Sequence, residues 1–367
     1  MRLALVVTGG FDPSGRQHVI PTLLALVERL SRRHEVVVYV LRYLAQPTTY
    51  PLLGATICDL GRPRGLRRQY GALLDRLKCD GRFDVLHAYW GLPAGFVTAA
   101  AARRLHIPSV LTCDSGEFAA IADIDYGSQL HVRQRWAIRF AASMATTLTV
   151  CSTYQAGLAS AHGWTAHTIP LGVDTASFAP SDRDEGPPWR LLHVASLNPV
   201  KDHETLLRAF QILIQHHVDA HLDIVGEDTL QGAAADLAAR LGVADRVHFL
   251  GFQPTDSLIP LYQRSHLFVL SSRHEAAGAV VLEAAACGVP AVGTAVGYIA
   301  DWSPERARAV PPRDAAALAA NIEGLLRNRE DRLRLAASAR AWVVAHDADW
   351  TSREFDRLYM KLVTPGS

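Results

Sequence analysis

Short apolar runs alternate with segments of helical periodicity through the first half of the chain. Residues 3–7 and 36–41 are almost continuously apolar, which is typical of buried strands. Residues 19–30 instead repeat apolar positions three and four apart, as a helix does. The same patterns predict further strands at 84–87, 108–112 and 147–150 and further helices at 94–105 and 132–144. This alternation predicts a parallel sheet with helices on both faces.

A polar segment rich in proline, PSDRDEGPP at residues 180–188, interrupts this rhythm. The alternation then restarts, with strands expected at 191–194, 222–225, 247–250, 267–270 and 290–292, and helices at 204–215, 230–241, 256–264 and from 315 onward. The pattern predicts an α/β protein of two Rossmann-like, doubly wound domains, residues 1–180 and 181–345. Such domains bind ligands beyond the carboxyl ends of their strands, so we expect the active site in the cleft between them.

Composition narrows the class of protein. The chain has 367 residues, enough for two domains, and 49% of them are hydrophobic, enough for two cores. Lys and Arg total 37 and Asp and Glu total 36, a balance that argues against nucleic acid as a partner. Five scattered cysteines without C-x-x-C spacing favour a reducing compartment and argue against structural zinc. The first apolar run is too short for a signal peptide and no run reaches the ~18 residues of a membrane span, so we expect a cytoplasmic protein.

The segment from residue 271 to residue 288, SSRHEAAGAVVLEAAACG, carries the most specific chemistry. A helix that opens near Gly278, after the strand at 267–270, would aim unpaired backbone N–H groups at a phosphate. Glu275 would lie at the mouth of that helix and Glu283 about one and a half turns inside it. Because an unpaired charge in the apolar run around Glu283 is costly, we expect both carboxylates to accept hydroxyl groups of a sugar-bearing ligand. The alternative is two solvated acids on a surface helix.

Glu275-x7-Glu283 with Gly278 between them, followed by Ala-x-Gly-Val-Pro, resembles the signature of family-four retaining glycosyltransferases of GT-B fold. The resemblance implies that Glu275 touches the donor sugar and that Glu283 holds the ribose hydroxyls. It also implies that the sugar and diphosphate are received by the backbone amides of Gly278, Ala279 and Val280. In this fold a C-terminal helix, here within residues 346–367, packs back on the first domain.

Lys201 stands just before a predicted helix whose N-terminus faces the same edge of the sheet. An ammonium group there could neutralise the charge that grows on a departing nucleoside diphosphate; a solvated surface lysine is the alternative. The segment resembles the family's Gly-Arg-Leu…Lys-Gly run, with Ala195 and Ser196 in place of the glycine and arginine. The missing arginine leaves Lys201 more exclusively responsible for the diphosphate, with Ser196 beside the donor.

Three further positions are expected near the donor. Gly226 ends a strand and serves either as a structural turn or as a ligand contact. Phe252 either packs on the nucleotide base or lies in the core. Gly15 follows the first strand, where the family carries two adjacent glycines that let the backbone approach the diphosphate; here only Gly15 matches.

The acceptor side is expected in the first domain. His87 and Trp90 lie in a segment that resembles the family's fourth strand and its aromatic turn, although a buried structural histidine is the alternative for His87. Asp114 replaces the histidine of a His-Gly-x-Asp/Glu segment that contacts the donor sugar. Asp123-Ile-Asp125 resembles a metal-binding D-x-D but lies in a loop-like segment, so no metal is expected.

A basic cluster also belongs to the first domain. It consists of Arg62, Arg64, Arg67, Arg68, Arg76 and Lys78. Such a cluster could make a weak peripheral contact with anionic lipid at the inner membrane face, and a solvated helix face is the alternative.

The resemblance as a whole implies a metal-independent, retaining glycosyltransferase that needs no cofactor. It is expected to move a hexose from a UDP or GDP sugar to a hydroxyl of a saccharide, a lipid-linked glycan or a small molecule, as in polysaccharide biosynthesis. Because no nucleophile beside a base is visible, the resemblance implies front-face substitution, in which the leaving phosphate takes the acceptor proton. Two alternatives stay open: a nucleotide-sugar epimerase of the same fold, and a non-catalytic nucleotide-sugar-binding homologue, suggested by Ser196 and Asp114.

Overall fold

The computed structural model describes residues 1–364, which form two compact units. Unit 1 is Met1–Gly172 together with the chain from Ala348, and unit 2 is Val173–Asp347. The sequence placed the first boundary after residue 180 and the second after residue 345. The first boundary differs because the residues before the proline-rich segment already pack within unit 2. There the Phe178 ring meets Tyr262 at 6.1 Å, and the Gln263 side-chain amide donates to the Ala179 carbonyl at 2.8 Å.

Unit 1 is built on an eight-stranded sheet in the order β3-β4-β2-β1-β5-β6-β7-β8. Its strands are β1 Arg2–Val7, β2 Glu35–Val40, β3 Thr48–Leu52, β4 Ala55–Asp59, β5 Val85–Tyr89, β6 Ser109–Cys113, β7 Thr147–Val150 and β8 His167–Thr168. Its helices before the boundary are α1 Pro21–Ser31, α2 Leu66–Asp80, α3 Phe96–Leu105, α4 Val132–Met144 and α5 Thr153–Ala161. Every pair is parallel except the edge strand β3, which runs antiparallel to β4. Side chains of β1 such as Ala4 and Val6 share one core with α2, α3 and α4, because successive residues of a strand point to opposite faces.

Unit 2 is built on a wholly parallel six-stranded sheet in the order β11-β10-β9-β12-β13-β14. Its strands are β9 Trp189–Val194, β10 Ala220–Val225, β11 Val247–Phe249, β12 Leu267–Leu270, β13 Ala291–Thr294 and β14 Ala307–Val310. Its helices are α6 His203–Gln215, α7 Ala233–Arg240, α8 Thr255–Arg264, α9 Ala279–Ala286, α10 Gly297–Trp302, α11 Ala315–Arg327 and α12 Arg329–Ala345. The chain runs outward from β9 to β10 and later returns to β12 on the other side of β9. That reversal creates a crevice at the carboxyl ends of β9 and β12, where doubly wound sheets bind their ligands.

The last helix, α13 (Ala348–Val363), belongs to unit 1. Phe355 and Tyr359 are fully buried there, and the Tyr359 hydroxyl bonds the His87 ring at 2.6 Å. Thr351 ties α13 to the end of the first segment, because its hydroxyl donates to the Pro170 carbonyl and accepts from the Gly172 amide. Unit 1 is thus completed by residues from the far end of the sequence.

The expected fold class is confirmed: both units are Rossmann-like α/β domains with parallel sheets. The sequence analysis missed the β3–β4 hairpin, which turns through Leu53 and Gly54, both with positive φ (50° and 79°). Across residues 1–364, none of the helices combines the length and apolar character that crossing a bilayer requires.

Candidate functional site

Two loops meet at the crevice of unit 2. One follows β9 and ends in a short helical turn, Pro199–Lys201, and the other follows β12 from Ser271. The Ser271 hydroxyl donates to the Lys201 carbonyl at 2.8 Å, and the Arg273 amide donates to the Val200 carbonyl at 2.7 Å. Because β9 and β12 are neighbours in the sheet, residues that are some 70 positions apart along the chain are held together here.

Lys201 and Glu275 form an ion pair across these loops. The Lys201 Nζ lies 2.5 Å from Glu275 Oε1, and the Ser272 hydroxyl donates to the same oxygen at 2.6 Å. Burial alone would raise the pKa of Glu275, but the charge and hydrogen bond of Lys201, with the Ser272 hydroxyl, hold it below its ordinary value. The Lys201 side chain is still 22% exposed and that of Glu275 11%. The crevice therefore presents a fixed ammonium group beside a fixed carboxylate.

Helix α9 opens beside this pair. Gly278 immediately precedes its first residue, so the first backbone N–H groups of α9 have no carbonyl partner within the helix. The loop before α9 is braced by Gly297 at the start of α10, where the Tyr298 amide donates to the Ala277 carbonyl at 2.8 Å. A Cβ at position 297 would lie 2.3 Å from that carbonyl oxygen, and φ there is +50°, so only glycine fits. The sequence analysis did not single out Gly297.

Glu283 lies inside α9 and is 4% exposed. Its Oε2 accepts a hydrogen bond from the Tyr262 hydroxyl at 2.8 Å, and Tyr262 is itself fully buried. Burial raises the pKa of Glu283 from an ordinary 4.5 to about 7, and the Tyr262 bond opposes this only in part. The surface-helix alternative for Glu283 is therefore wrong, and the partner Tyr262 was not foreseen.

Two buried histidines lie under Lys201. His193 at the end of β9 donates through Nδ1 to the Val269 carbonyl, 2.9 Å away, and its ring packs edge-on against His203 at 5.0 Å. Burial lowers the pKa of His193 to about 4 and that of His203 to about 3, and the nearby Lys201 charge contributes to both shifts. Both rings are therefore neutral at pH 7 and leave Lys201 as the positive charge of this loop.

The remaining positions expected near the donor lie around the same edge of unit 2. Ser196 is exposed and lies two residues beyond the end of β9. Gly226 packs against the backbone: a Cβ there would come within 1.9 Å of the Ala195 carbonyl oxygen, so the structural turn explains this glycine. Phe252 is 51% exposed, which rules out the core alternative.

Unit 1 has a cavity of its own, about 310 Å³, at the carboxyl ends of β1, β5 and β6. Trp90 and Glu117 line it. Glu117 is 3% exposed; it accepts hydrogen bonds from the Gly91 amide at 2.9 Å and the Ser115 amide at 2.8 Å. Burial raises the pKa of Glu117 although these backbone bonds oppose the shift. From the sequence, the sugar-contacting role in this segment was expected of Asp114 and not of Glu117.

The two other expected acceptor-side residues are the buried His87 and the partly exposed Asp114. His87 is 1% exposed, and its ring bonds both the Tyr359 hydroxyl at 2.6 Å and the Thr112 hydroxyl at 2.7 Å. Burial lowers the pKa of His87 to about 3, so the geometry favours the structural alternative rather than a base. Asp114 lies beside Cys151, where burial and the Asp114 charge raise the pKa of the thiol.

Two loops of unit 1 carry further residues that the sequence motifs named. Gly15 lies six residues before α1 rather than at its N-terminus, in a turn where its amide donates to the Asp12 carbonyl at 2.9 Å. Asp123 lies within a short helical turn at 122–124, and Asp125 follows that turn directly. Within residues 1–364, three or more His, Cys, Asp or Glu side chains nowhere converge as a metal site would require.

Comparison with protein families assigns both units. Residues 176–342 match the model "Glycosyl transferases group 1", and residues 22–177 match "Glycosyltransferase Family 4". Each half of the chain thus matches a glycosyltransferase family model, and the two matches together span residues 22–342. The first match covers the loops that carry Lys201 and Glu275, and the second covers the cavity of Trp90 and Glu117.

Curated relatives support the same assignment. The chain is 33% identical over 236 residues to a D-inositol 3-phosphate glycosyltransferase of Mycolicibacterium gilvum, an alignment that covers 59% of this chain and 52% of the relative. It is 29% identical over 293 residues to a glycogen synthase of Mycobacterium tuberculosis, covering 76% and 69% respectively. The chain thus spans about half the length of the first of these relatives.

Solved structures share the fold. Sucrose-phosphate synthase from Thermosynechococcus elongatus matches with a TM-score of 0.82 at 19% identity over 98% of both chains. Anabaena HepE, solved in complex with UDP and glucose, matches with a TM-score of 0.74 at 17% identity over 98% of this chain and 99% of that one. At such identities the likeness establishes the fold.

Proposed function

We propose that this GT-B protein transfers a hexose from a nucleotide-diphosphate sugar to an acceptor hydroxyl, with retention of configuration and without a metal ion. The observation that carries the proposal is the Lys201–Glu275 pair at the crevice of unit 2, beside the open N-terminus of α9. One ammonium group and a helix N-terminus together match the charge of a diphosphate, and one carboxylate matches the hydroxyls of a sugar. HepE, of the same fold, was solved with UDP and glucose, which supports a donor of this class.

In this proposal, different residues of unit 2 bind different parts of the donor. Lys201 and the backbone N–H groups of Gly278, Ala279 and Val280 hold the diphosphate, while Glu275 orients the sugar by accepting from its hydroxyls. Ser196 is exposed beside this edge and contacts the donor. Deeper in α9, Glu283 accepts from the ribose hydroxyls with the oxygen that Tyr262 leaves open. Phe252, which is 51% exposed, packs on the base in this proposal.

The chemical step follows from these positions. The bond between the sugar C1 and the leaving phosphate oxygen breaks while the acceptor oxygen forms its bond to C1 on the same face. The acceptor proton passes to the departing phosphate, so no side-chain base is required. Negative charge grows on the diphosphate, and Lys201 stabilises it because the ammonium group is already fixed by Glu275 and needs no reorganisation.

The acceptor is proposed to bind at the cavity of unit 1. Trp90 offers an aromatic surface for a sugar or another apolar-faced acceptor, and Glu117 holds the loop in place through the Gly91 and Ser115 amides.

A donor panel tests the proposal directly. The full chain is incubated with UDP-, GDP- and ADP-hexoses and thermal stabilisation is recorded, because a ligand at 100 times its Kd stabilises by about 2.7 kcal/mol. Released nucleoside diphosphate and the anomeric configuration of the product are then followed by NMR. Stabilisation by one donor, release that depends on an acceptor and an anomer matching the donor are expected. Binding without turnover across many acceptors indicates the non-catalytic homologue, and conversion of the donor without acceptor indicates an epimerase.

A further inference from the structure

Helix α4 of unit 1 exposes large apolar side chains, although the Phe140 ring also packs on Phe96 at 4.9 Å. Val132, Trp136 and Phe140 are 58%, 68% and 37% exposed. Their spacing of four residues places them on one line along the helix, whereas Ile138 and Ala141 on the opposite side are buried. Val132, Trp136 and Phe140 are called the α4 stripe below. A helix that only packs on a core shows the reverse pattern, with polar residues outermost.

Positive charge borders the α4 stripe on both sides. At about 100° per residue, Arg135 and Arg139 lie along one flank of the stripe and Arg133 along the other. All three arginines are exposed, and the sequence of α4, VRQRWAIRFAASM, contains no acidic residue. The helix therefore joins three positive charges to an apolar ridge.

This combination fits the surface of a lipid bilayer. Tryptophan and phenylalanine settle at the boundary between headgroups and acyl chains, and arginines beside them pair with anionic headgroups. We propose that α4 docks this protein on an anionic bilayer, with the α4 stripe inserted into the interface and Arg133, Arg135 and Arg139 on the headgroups. The docking does not depend on the transfer reaction proposed above.

A second copy of the chain fits the α4 stripe less well. A symmetric contact would set the arginines of one α4 against those of the other, and like charges across an interface are costly. The stripe also exposes only about 300 Å², given about 150–250 Å² for a whole aromatic side chain. A stable interface needs about 800 Å² per partner.

The basic cluster of unit 1, which begins just before α2 and continues along it, is a weaker anchor than α4. Arg76 already pairs with Asp80 at 2.8 Å, and the Arg62 side chain donates to the Tyr43 carbonyl. Along Leu66–Asp80, all of which the structure describes, no large apolar side chain is exposed.

Helix α4 also lies next to the cavity of unit 1. Gln134 on α4 lines the same cavity as Trp90, so docking through α4 would hold that cavity close to the headgroups. An acceptor carried by a membrane lipid would be within reach there.

Vesicle binding of the full chain tests the proposal. The protein is sedimented with vesicles of phosphatidylcholine alone and with vesicles in which a third of the lipid is phosphatidylglycerol. We expect binding only to the anionic vesicles, weakened by salt, and roughly 30-fold weaker for Arg135→Gln/Arg139→Gln. Two matched controls, Arg353→Gln/Arg357→Gln on α13 and Leu333→Ser on α12, remove exposed charge or apolar surface elsewhere and should bind as the wild type does.

Fluorescence quenching by brominated acyl chains locates the contact. Trp136 is the tryptophan expected to enter the interface, so anionic brominated vesicles should quench the wild type and leave Trp136→Phe largely unquenched. Absence of binding to anionic vesicles, equal losses in the α13 control, or quenching that survives Trp136→Phe would overturn the proposal. A mass in solution that Trp136→Ser reduces from dimer to monomer, without vesicle binding by the wild type, would assign the stripe to a second copy instead.

Discussion

Replacing Glu283 by glutamine should make the stability of unit 2 less sensitive to pH. The carboxylate is 4% exposed within α9, and its pKa rises from an ordinary 4.5 to about 7 because burial penalises the charged form. Glutamine keeps the shape and can still accept from the Tyr262 hydroxyl, so the substitution removes the charge and little else. The variant therefore isolates the cost of ionising a buried group.

The sign and size follow from proton linkage. The folded state holds the proton more tightly than the unfolded state, so the wild type loses stability as pH rises from about 4.5 to about 7. At about 1.4 kcal/mol per pH unit, the loss is about 3 kcal/mol, and Glu283→Gln does not suffer it. The stability of Glu283→Gln relative to the wild type should therefore rise by about 3 kcal/mol between about pH 4.5 and about pH 7.

Differential scanning calorimetry from about pH 4.5 to about pH 8 measures the difference. For a unit of this size, about 3 kcal/mol corresponds to a gap in Tm that widens by roughly 6–12 °C. Glu330→Gln, which removes an exposed carboxylate on α12, is the matched control and should follow the wild type. A difference in Tm between Glu283→Gln and the wild type that stays constant with pH would show that burial does not raise the pKa of this carboxylate.

Further predictions concern the donor site. Lys201→Ala should mainly lower kcat, by roughly 10²–10³, because the ammonium group meets charge that grows during bond breaking; an unchanged kcat in steady-state kinetics would remove it from the chemistry. Glu283→Ala should instead raise the donor KM by about 10- to 100-fold, once circular dichroism shows it folded, because hydrogen bonds to a charged group contribute about 1.5–3 kcal/mol in both the ground and the transition state. Turnover should survive EDTA; loss that manganese restores would point to Asp123 and Asp125. Gly297→Ala should both lower Tm and raise the donor KM, because its Cβ would lie 2.3 Å from the Ala277 carbonyl oxygen. An unchanged KM would show that the contact between Gly297 and Ala277 does not position the donor loop.

Periodicity alone was sufficient for most of the fold. Parallel strands buried on both faces leave continuous apolar runs, and the strands and helices so predicted differ from the structure by a few residues at their ends. The hairpin of β3 and β4 was missed because Pro51 and the Leu53-Gly54 turn disrupt any clear alternation in an edge strand. The domain boundary was placed too late because Phe178 packs in unit 2 ahead of the polar segment.

The candidate site was predictable in part. Features set by neighbouring residues could be read from the sequence, whereas contacts between residues that are distant along the chain could not. Gly278 before α9 could be placed from the strand and the glycine that precede the helix. The pairing of Lys201 with Glu275 and of Tyr262 with Glu283 depends on which strands and helices become neighbours, and a single sequence does not show that. Glu117 was passed over because its role depends on the backbone amides that surround it.

The most direct test of the donor assignment is nucleotide binding to a variant that removes both charges of the pair. Lys201→Met/Glu275→Gln leaves neither a buried carboxylate nor an ammonium group without its partner, so the fold should survive, as circular dichroism would check. Isothermal titration of UDP and GDP with the full chain should give a Kd at least tenfold weaker for this variant than for the wild type. A Kd that stays the same in the variant would contradict the placement of the diphosphate at Lys201 and with it the central claim.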